Sequence, residues 1–248
     1  MNPESRIFAL LALIAALAAG PAAAQCRTQT FEDTRYTLCE ARAGQDVRLF
    51  WADAAGQIYG SFSRIDVDLA QSGQRLAFAM NAGMYHADRR PVGLYVENNV
   101  PTGRLVTRAG PGNFGLLPNG VFCILDQGFA IVESRRYEAE SVDCANATQS
   151  GPMLVIEGAL HPRFLPDSHS LNLRNGVGVS DDGQRAVFVI SDDPVNFDGF
   201  ARFFRDGLGL RQALYFDGSI SRLYARDLGR ADWGLPMGPM VGLVVSAD

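Results

Sequence analysis

ATQSGPMLVIEGALHP (147–162), SLNLRNGVGV (170–179), AVFVISDDPVNF (186–197) and ALYFDGSISRLY (213–224) share one grammar. Each is a short apolar run that stops abruptly at polar residues and glycine. LAFAMNAGMYHADRRPVGLYVE (76–97) repeats the pattern earlier in the chain. Runs of this length and punctuation are strands, and a rigid strand aims a polar group from its end. Several strand ends of one kind predict one composite site.

Working outward, the same signals predict further strands over 47–51, 75–80, 93–96, 121–125, 129–132, 153–156, 186–190, 213–216 and 241–245. Asp126-Gln127-Gly128 reads as a hairpin turn. Two segments carry a helical period. Ser63 is placed to cap 64–71, with Asp66 in the capping-box position and Gly73 as the stop. Asn196 is placed to cap 197–208, where Phe197, Phe200, Ala201, Phe204 and Leu208 recur at helical spacing. Many strands and few helices predict an α+β fold, a single domain with a mixed or largely antiparallel sheet.

Residues 8–19 are an unbroken apolar stretch followed by small residues, too short to span a bilayer. The reading is a secretory signal over 1–24, with the working domain over 25–248. It implies a periplasmic or secreted protein with no stable membrane insertion after cleavage. The four cysteines, Cys26, Cys39, Cys123 and Cys144, allow three pairings. Cys26 with Cys39 and Cys123 with Cys144 closes two local loops that each contain a hairpin, as an oxidising compartment favours. The formal net charge is −5 with no basic stripe, which argues against a nucleic-acid partner. Neither the cysteine spacing nor the three histidines, His86, His161 and His169, form a metal-ligand pattern. No cofactor motif is present, so none is expected.

The polar groups at strand ends are the candidate site. Asp217-Gly218 follows the apolar run ALYF, with Ser219 and Ser221 after it. A carboxylate at a partly dry strand end acquires a raised pKa and serves in acid–base chemistry. Asp192, at the end of AVFVI, is the second candidate carboxylate, since neighbouring Asp193 faces the other way. Arg174 precedes a glycine-rich strand, where a guanidinium can grip two phosphate oxygens. Asn81 and Gly83 end the LAFAM strand. A carboxamide there can bind a sugar hydroxyl, and a turn asparagine is the simpler local account. Gln149 and Ser150 open a strand whose backbone can face an anion. Tyr85, Phe114 and Phe122 are candidates for stacking on a sugar, with core packing as the default.

NAGMY (81–85), PVGLY (91–95), GNFGLLPNGVF (112–122), ATQSGPMLV (147–155), LRNGVGV (173–179), ISDDPVNF (190–197) and ALYFDGSIS (213–221) occur in this order. In that order they resemble the phosphodiester glycosidase family, in its bacterial branch, over about residues 75–245. The resemblance implies hydrolysis of a sugar-1-phosphodiester at the anomeric carbon. It implies catalytic carboxylates at Asp217 and Asp192. It implies substrate contacts at Asn81, Gly83, Arg174, Gly218, Ser219 and Ser221. Ser219 stands where the family carries a second glycine, so an extra side chain narrows the approach to Asp217. The alternative reading is a non-catalytic envelope protein that binds a glycan or anionic polymer. A third is a metal-dependent phosphodiesterase attacking phosphorus. Mass spectrometry of the protein from its native host should find a chain beginning near Gln25 with four thiol hydrogens missing. Free thiols on all four cysteines would refute the pairing.

Overall fold

The computed structural model describes residues 25–247; the leader expected over 1–24 lies outside them. Three sheets share one central core. The first runs in the order Gln25–Phe31, Thr34–Arg42, Arg185–Ser191, Asn175–Val179, Gln212–Asp217, Met153–Ile156, Ala159–Leu160. The second runs Arg230–Ala231, Leu223–Ala225, Gln74–Asn81, Met240–Ser246, Val47–Phe50. The third runs Val100–Thr102, Tyr95–Glu97, Asn146–Ser150, Gly120–Leu125, Gly128–Glu133. Every ladder among the described residues is antiparallel. The fold is α+β, as expected, and all nine expected strands form, with ends displaced by a residue or two.

The run AVFVI is apolar throughout because its strand is covered on both faces. Ala186, Phe188 and Ile190 join the central core, where Phe188 meets Phe78 and Phe122. Val187 and Val189 point the other way, against Phe200, Phe203 and Phe204 of the helical segment behind the sheet. A strand buried on one face would have alternated with polar residues. Emptying a site such as Phe188, by Phe188→Ala, costs about 3–5 kcal/mol.

Both expected helices are present, with shifted details. The first is Phe62–Ala70, capped by Ser61 rather than Ser63: the Ser61 hydroxyl accepts from the Arg64 amide at 3.4 Å. Asp66 does not reach back to the cap; it accepts from the Leu76 amide at 2.7 Å and ties the helix to its sheet. The second starts as expected, with the Asn196 side chain accepting from the Gly199 amide at 2.8 Å. Its α-helical part ends at Arg202, and a π-helical turn, Phe203–Gly207, continues it. The extra residue in that turn brings Phe203 as well as Phe204 into the core. Phe203 stacks on Tyr36 with ring centroids 3.9 Å apart. A short helix over Ser134–Glu140, in the polar run SRRYEAE, carries no apolar period and was not expected.

Both disulfides form as paired in the sequence reading, Cys26–Cys39 within one hairpin and Cys123–Cys144 under the third sheet. No helix among the described residues is long and apolar enough to cross a membrane.

The Asn196 side chain also donates to the carbonyls of Pro166 and Ser168, at 2.8 and 3.2 Å. Asn196→Ala should therefore cost about 1–2 kcal/mol, measured by denaturant unfolding. An unchanged midpoint would show that the cap does not anchor the helix.

Candidate functional site

Three strand ends of the first sheet lie in one row. Ile190 pairs with Asn175, and Asn175 pairs with Asp217. A bulge beside Asn175 breaks the ladder at this point. Across the core, the Asn175 carboxamide donates to the Asn81 carbonyl at 2.8 Å and accepts from the Asn81 carboxamide at 3.1 Å. Asn81 Oδ1 accepts from the Arg222 amide at 3.0 Å. Ser221 Oγ donates to the Leu173 carbonyl at 2.8 Å, with the Asp217 carbonyl 3.1 Å away. These bonds hold the 217–222 loop in one shape.

Asp217 is buried, 7% exposed. Its Oδ1 accepts from the amides of Gly218 at 2.6 Å and Ser219 at 2.8 Å. Burial pushes the carboxyl above its ordinary range, while the amides of Ser219, Gly218 and Ile220 pull it partly back. Tyr85 and Tyr215 lie close enough to feel its charge, and burial is the larger cause that raises each hydroxyl.

Arg174 is 1% exposed. Nε donates to the Val195 carbonyl at 2.8 Å and Nη2 to the Ser170 carbonyl at 2.9 Å. Nη1 lies 3.4 Å from the Tyr215 hydroxyl. The guanidinium sits 3.7 Å from the centroid of Phe197, a cation–π contact. Burial lowers its pKa, and the group that opposes this is Tyr215, not a carboxylate. A buried charge is normally paired, but among the described residues no carboxylate pairs with this one; backbone carbonyls, Tyr215 and the Phe197 face hold it. Gly218 is the residue that lets the loop pass over it. A Cβ there would stand 3.4 Å from Arg174 Nη1 and overlap the Tyr215 hydroxyl. The Arg174 guanidinium and the Tyr215 hydroxyl thus lie beneath Gly218, at the base of the loop whose backbone amides hold the Asp217 carboxyl.

Asp217, Gly218, Ser219 and Ser221 share one loop, with Ser219 exposed and Gly218 lying over Arg174. Other expectations are corrected. Asp192 does not join Asp217: it is paired with Arg230 at 2.6 Å and accepts from Thr37 at 2.8 Å. Two strand spacings, about 10 Å, separate the strand ends that carry the two acids. Asn81 is fully buried, and its carboxamide is used by Asn175 and Arg222, so it builds the site without facing it. Gln149 accepts from the amides of Leu94 and Val106 and donates to Val106 and Ser134, a structural knot. Ser150 donates to the Phe216 carbonyl at 3.0 Å inside the core. Gly83 makes room for Thr148, whose hydroxyl donates to the Ala82 carbonyl at 2.8 Å. Phe122 is a core residue. His161 is buried between the Leu117 carbonyl and the Arg163 amide. Tyr215, Asn175 and Arg222 were missed. The available signals were a lone hydroxyl in an otherwise apolar strand, two residues before Asp217, and a cation directly after Ser221.

Comparison with known proteins shows the family and the fold. A family model described as phosphodiester glycosidase matches residues 74–233. The chain is 36% identical over 187 residues to the uncharacterized protein YigE of Escherichia coli (strain K12), covering 75% of this chain and 72% of that one. Its fold is similar to the catalytic domain of zebrafish N-acetylglucosamine-1-phosphodiester alpha-N-acetylglucosaminidase, auto-inhibited by its pro-peptide. That match has a TM-score of 0.61 at 10% identity, over 91% of this chain and 84% of that one. A hypothetical protein from Synechocystis matches with a TM-score of 0.54 at 15% identity, over 90% of this chain and 62% of that one.

Because burial raises the folded-state pKa of Asp217, its charged form is disfavoured in the fold. The stability it contributes is present below its unfolded pKa and is lost as pH rises through the folded one. Asp217→Asn carries no such charge. Its melting temperature relative to the parent should therefore rise between about pH 4 and neutrality. A difference that is flat or falls with pH would contradict the assigned burial.

Proposed function

This chain belongs to the phosphodiester glycosidase family, and from that premise we propose that it hydrolyses a glycosyl phosphodiester at the anomeric carbon. The observation that carries the reading is Arg174, a buried guanidinium with no carboxylate partner among the described residues, next to the Asp217 loop. A phosphodiester supplies the negative charge that such a pocket lacks. Asp217 supplies the base.

The chemistry is then simple. Water bonds to C1 of the sugar, the C1–O bond to phosphate breaks, and its electron pair leaves with the phosphate monoester. One water proton passes to the Asp217 carboxylate. A raised pKa makes that carboxylate a better base near neutral pH. Its charge also stabilises the oxocarbenium character that develops at C1. Arg174 offsets the charge gathering on the leaving phosphate, and the Tyr215 hydroxyl and Phe197 ring keep the guanidinium in place. The amides of Gly218 and Ser219 fix the carboxyl plane. The two disulfides support an exported protein, periplasmic or secreted.

One observation favours a second reading, an envelope protein that binds a glycan or anionic polymer without turnover. Asp192, expected as the second carboxylate, is committed to Arg230. Incubation with a panel of sugar-1-phosphodiesters in oxygen-18 water separates the possibilities. The hydrolase reading expects the label in the released sugar. It also expects a loss of at least about a hundredfold in kcat for Asp217→Asn with the fold intact. Arg174→Lys keeps the charge but loses the planar fork, and should weaken inorganic phosphate binding about tenfold. Label in the phosphate would mean attack at phosphorus. Binding without cleavage would leave the envelope-binding reading.

A further inference from the structure

Two clefts, of about 340 and 460 Å³, open beside the Asp217 loop. They share Leu173, Ser221 and Arg222. Gly218 and Ser219 form one end of the smaller cleft, and Leu173, Ile220 and Leu235 give it apolar walls. The larger cleft extends this surface to Trp233.

The polar groups around these clefts are largely satisfied by the protein itself. The Ser221 hydroxyl is spent on the Leu173 carbonyl. Arg230 is shared between Asp192 and Asp232, at 2.6 and 3.0 Å. Few groups are left to recognise the hydroxyls of a ring. Apart from Ser219 and Arg222, what remains is apolar. Trp233 is 94% exposed, Leu235 67%, Leu171 55% and Leu173 43%. These are half of the exposed large hydrophobic side chains among the described residues, and they lie on two short segments, 171–173 and 233–235. A concentrated apolar patch of this kind marks a binding site.

Arg222 supplies the charge at the head of the patch. Its Nη1 donates to the Leu235 carbonyl at 2.6 Å, and among the described residues it forms no ion pair. The arrangement is amphipathic: a cation next to the reactive loop, then a trough of leucine, isoleucine and tryptophan.

We infer that these clefts form the leaving-group subsite and that the leaving group is the phosphate monoester of an apolar, long-chain alcohol. The inference rests on the glycosyl phosphodiester reading given above. Arg222 meets the phosphate from the side opposite the sugar, and the hydrocarbon chain runs along Leu173, Leu235 and Trp233. The substrate class is a lipid-linked sugar phosphate rather than a sugar joined through phosphate to a second sugar.

The product side of this reaction can be tested without turnover. Isothermal calorimetry on the whole mature protein would compare decyl phosphate, below its micelle-forming concentration, with methyl phosphate and a hexose 6-phosphate. Decyl phosphate should bind at least about tenfold more tightly than either. The double variant Leu173→Ser/Leu235→Ser should bring that preference down towards one. Both side chains are exposed, so the fold should persist, and a melting curve checks it. Equal affinity for the three phosphates overturns the inference, as does preference for the hexose phosphate or a decyl preference that survives the double variant. A turnover arm separates this result from the parent reading. Cleavage of decyl and methyl sugar-1-phosphodiesters with equal kcat/KM overturns the apolar subsite and leaves the hydrolase. A decyl preference in binding with neither diester cleaved defeats the hydrolase and leaves an apolar phosphate-binding site.

Discussion

The two hydrogen bonds that the Asn175 carboxamide makes to Asn81, one to its main-chain carbonyl and one from its side chain, are the constraint on which this site depends. Both residues are fully buried, one on each of two sheets. Burying an amide without partners costs several times what its bonds return, so the pair is stable only when the two sheets meet in one register. That register decides what lies next to it. Asp217 is the cross-strand partner of Asn175, and the Arg222 amide closes on Asn81 Oδ1. The loop between them is thereby held at both ends, and the carboxyl of Asp217 is presented at the end of an interior strand.

The protein treats the buried Arg174 and the half-buried Arg230 in two ways. Arg230 is neutralised by Asp192 and Asp232, an arrangement that ties the first sheet to the second. Arg174 receives backbone carbonyls, a phenol and an aromatic face, all of which orient a guanidinium without cancelling its charge. An ion pair at the same depth would have been the ordinary solution. Leaving it out keeps a positive potential in a low-dielectric pocket, where it acts strongly on an incoming anion.

Asp217 completes the contrast. Its burial opposes ionisation, and three backbone amides support it. The balance leaves the Asp217 carboxyl above its ordinary range, whereas Asp192 is held by Arg230. The two acids looked alike in the sequence, since each ends an apolar strand. What separates them is the partner that the tertiary fold delivers from another part of the chain.

The chain alone determined the elements. Apolar runs bounded by glycine, asparagine and aspartate marked the strands, because burial and turn formation leave a local trace. Asn196 marked a helix start, the paired cysteines marked two closed loops, and Asp217-Gly218 marked a strand end. The tertiary structure alone decided which polar residues are already committed to partners within the protein. Gln149, Ser150 and Asn81 had the composition of binding residues, yet their partners lie 43, 66 and 94 positions away and bury them. Tyr215 read as one more apolar strand residue until Arg174 was brought beside it from 41 positions away. Sequence periodicity reports whether a position is buried. It does not report whether a buried polar group has already found its partner, because that partner is chosen by the fold.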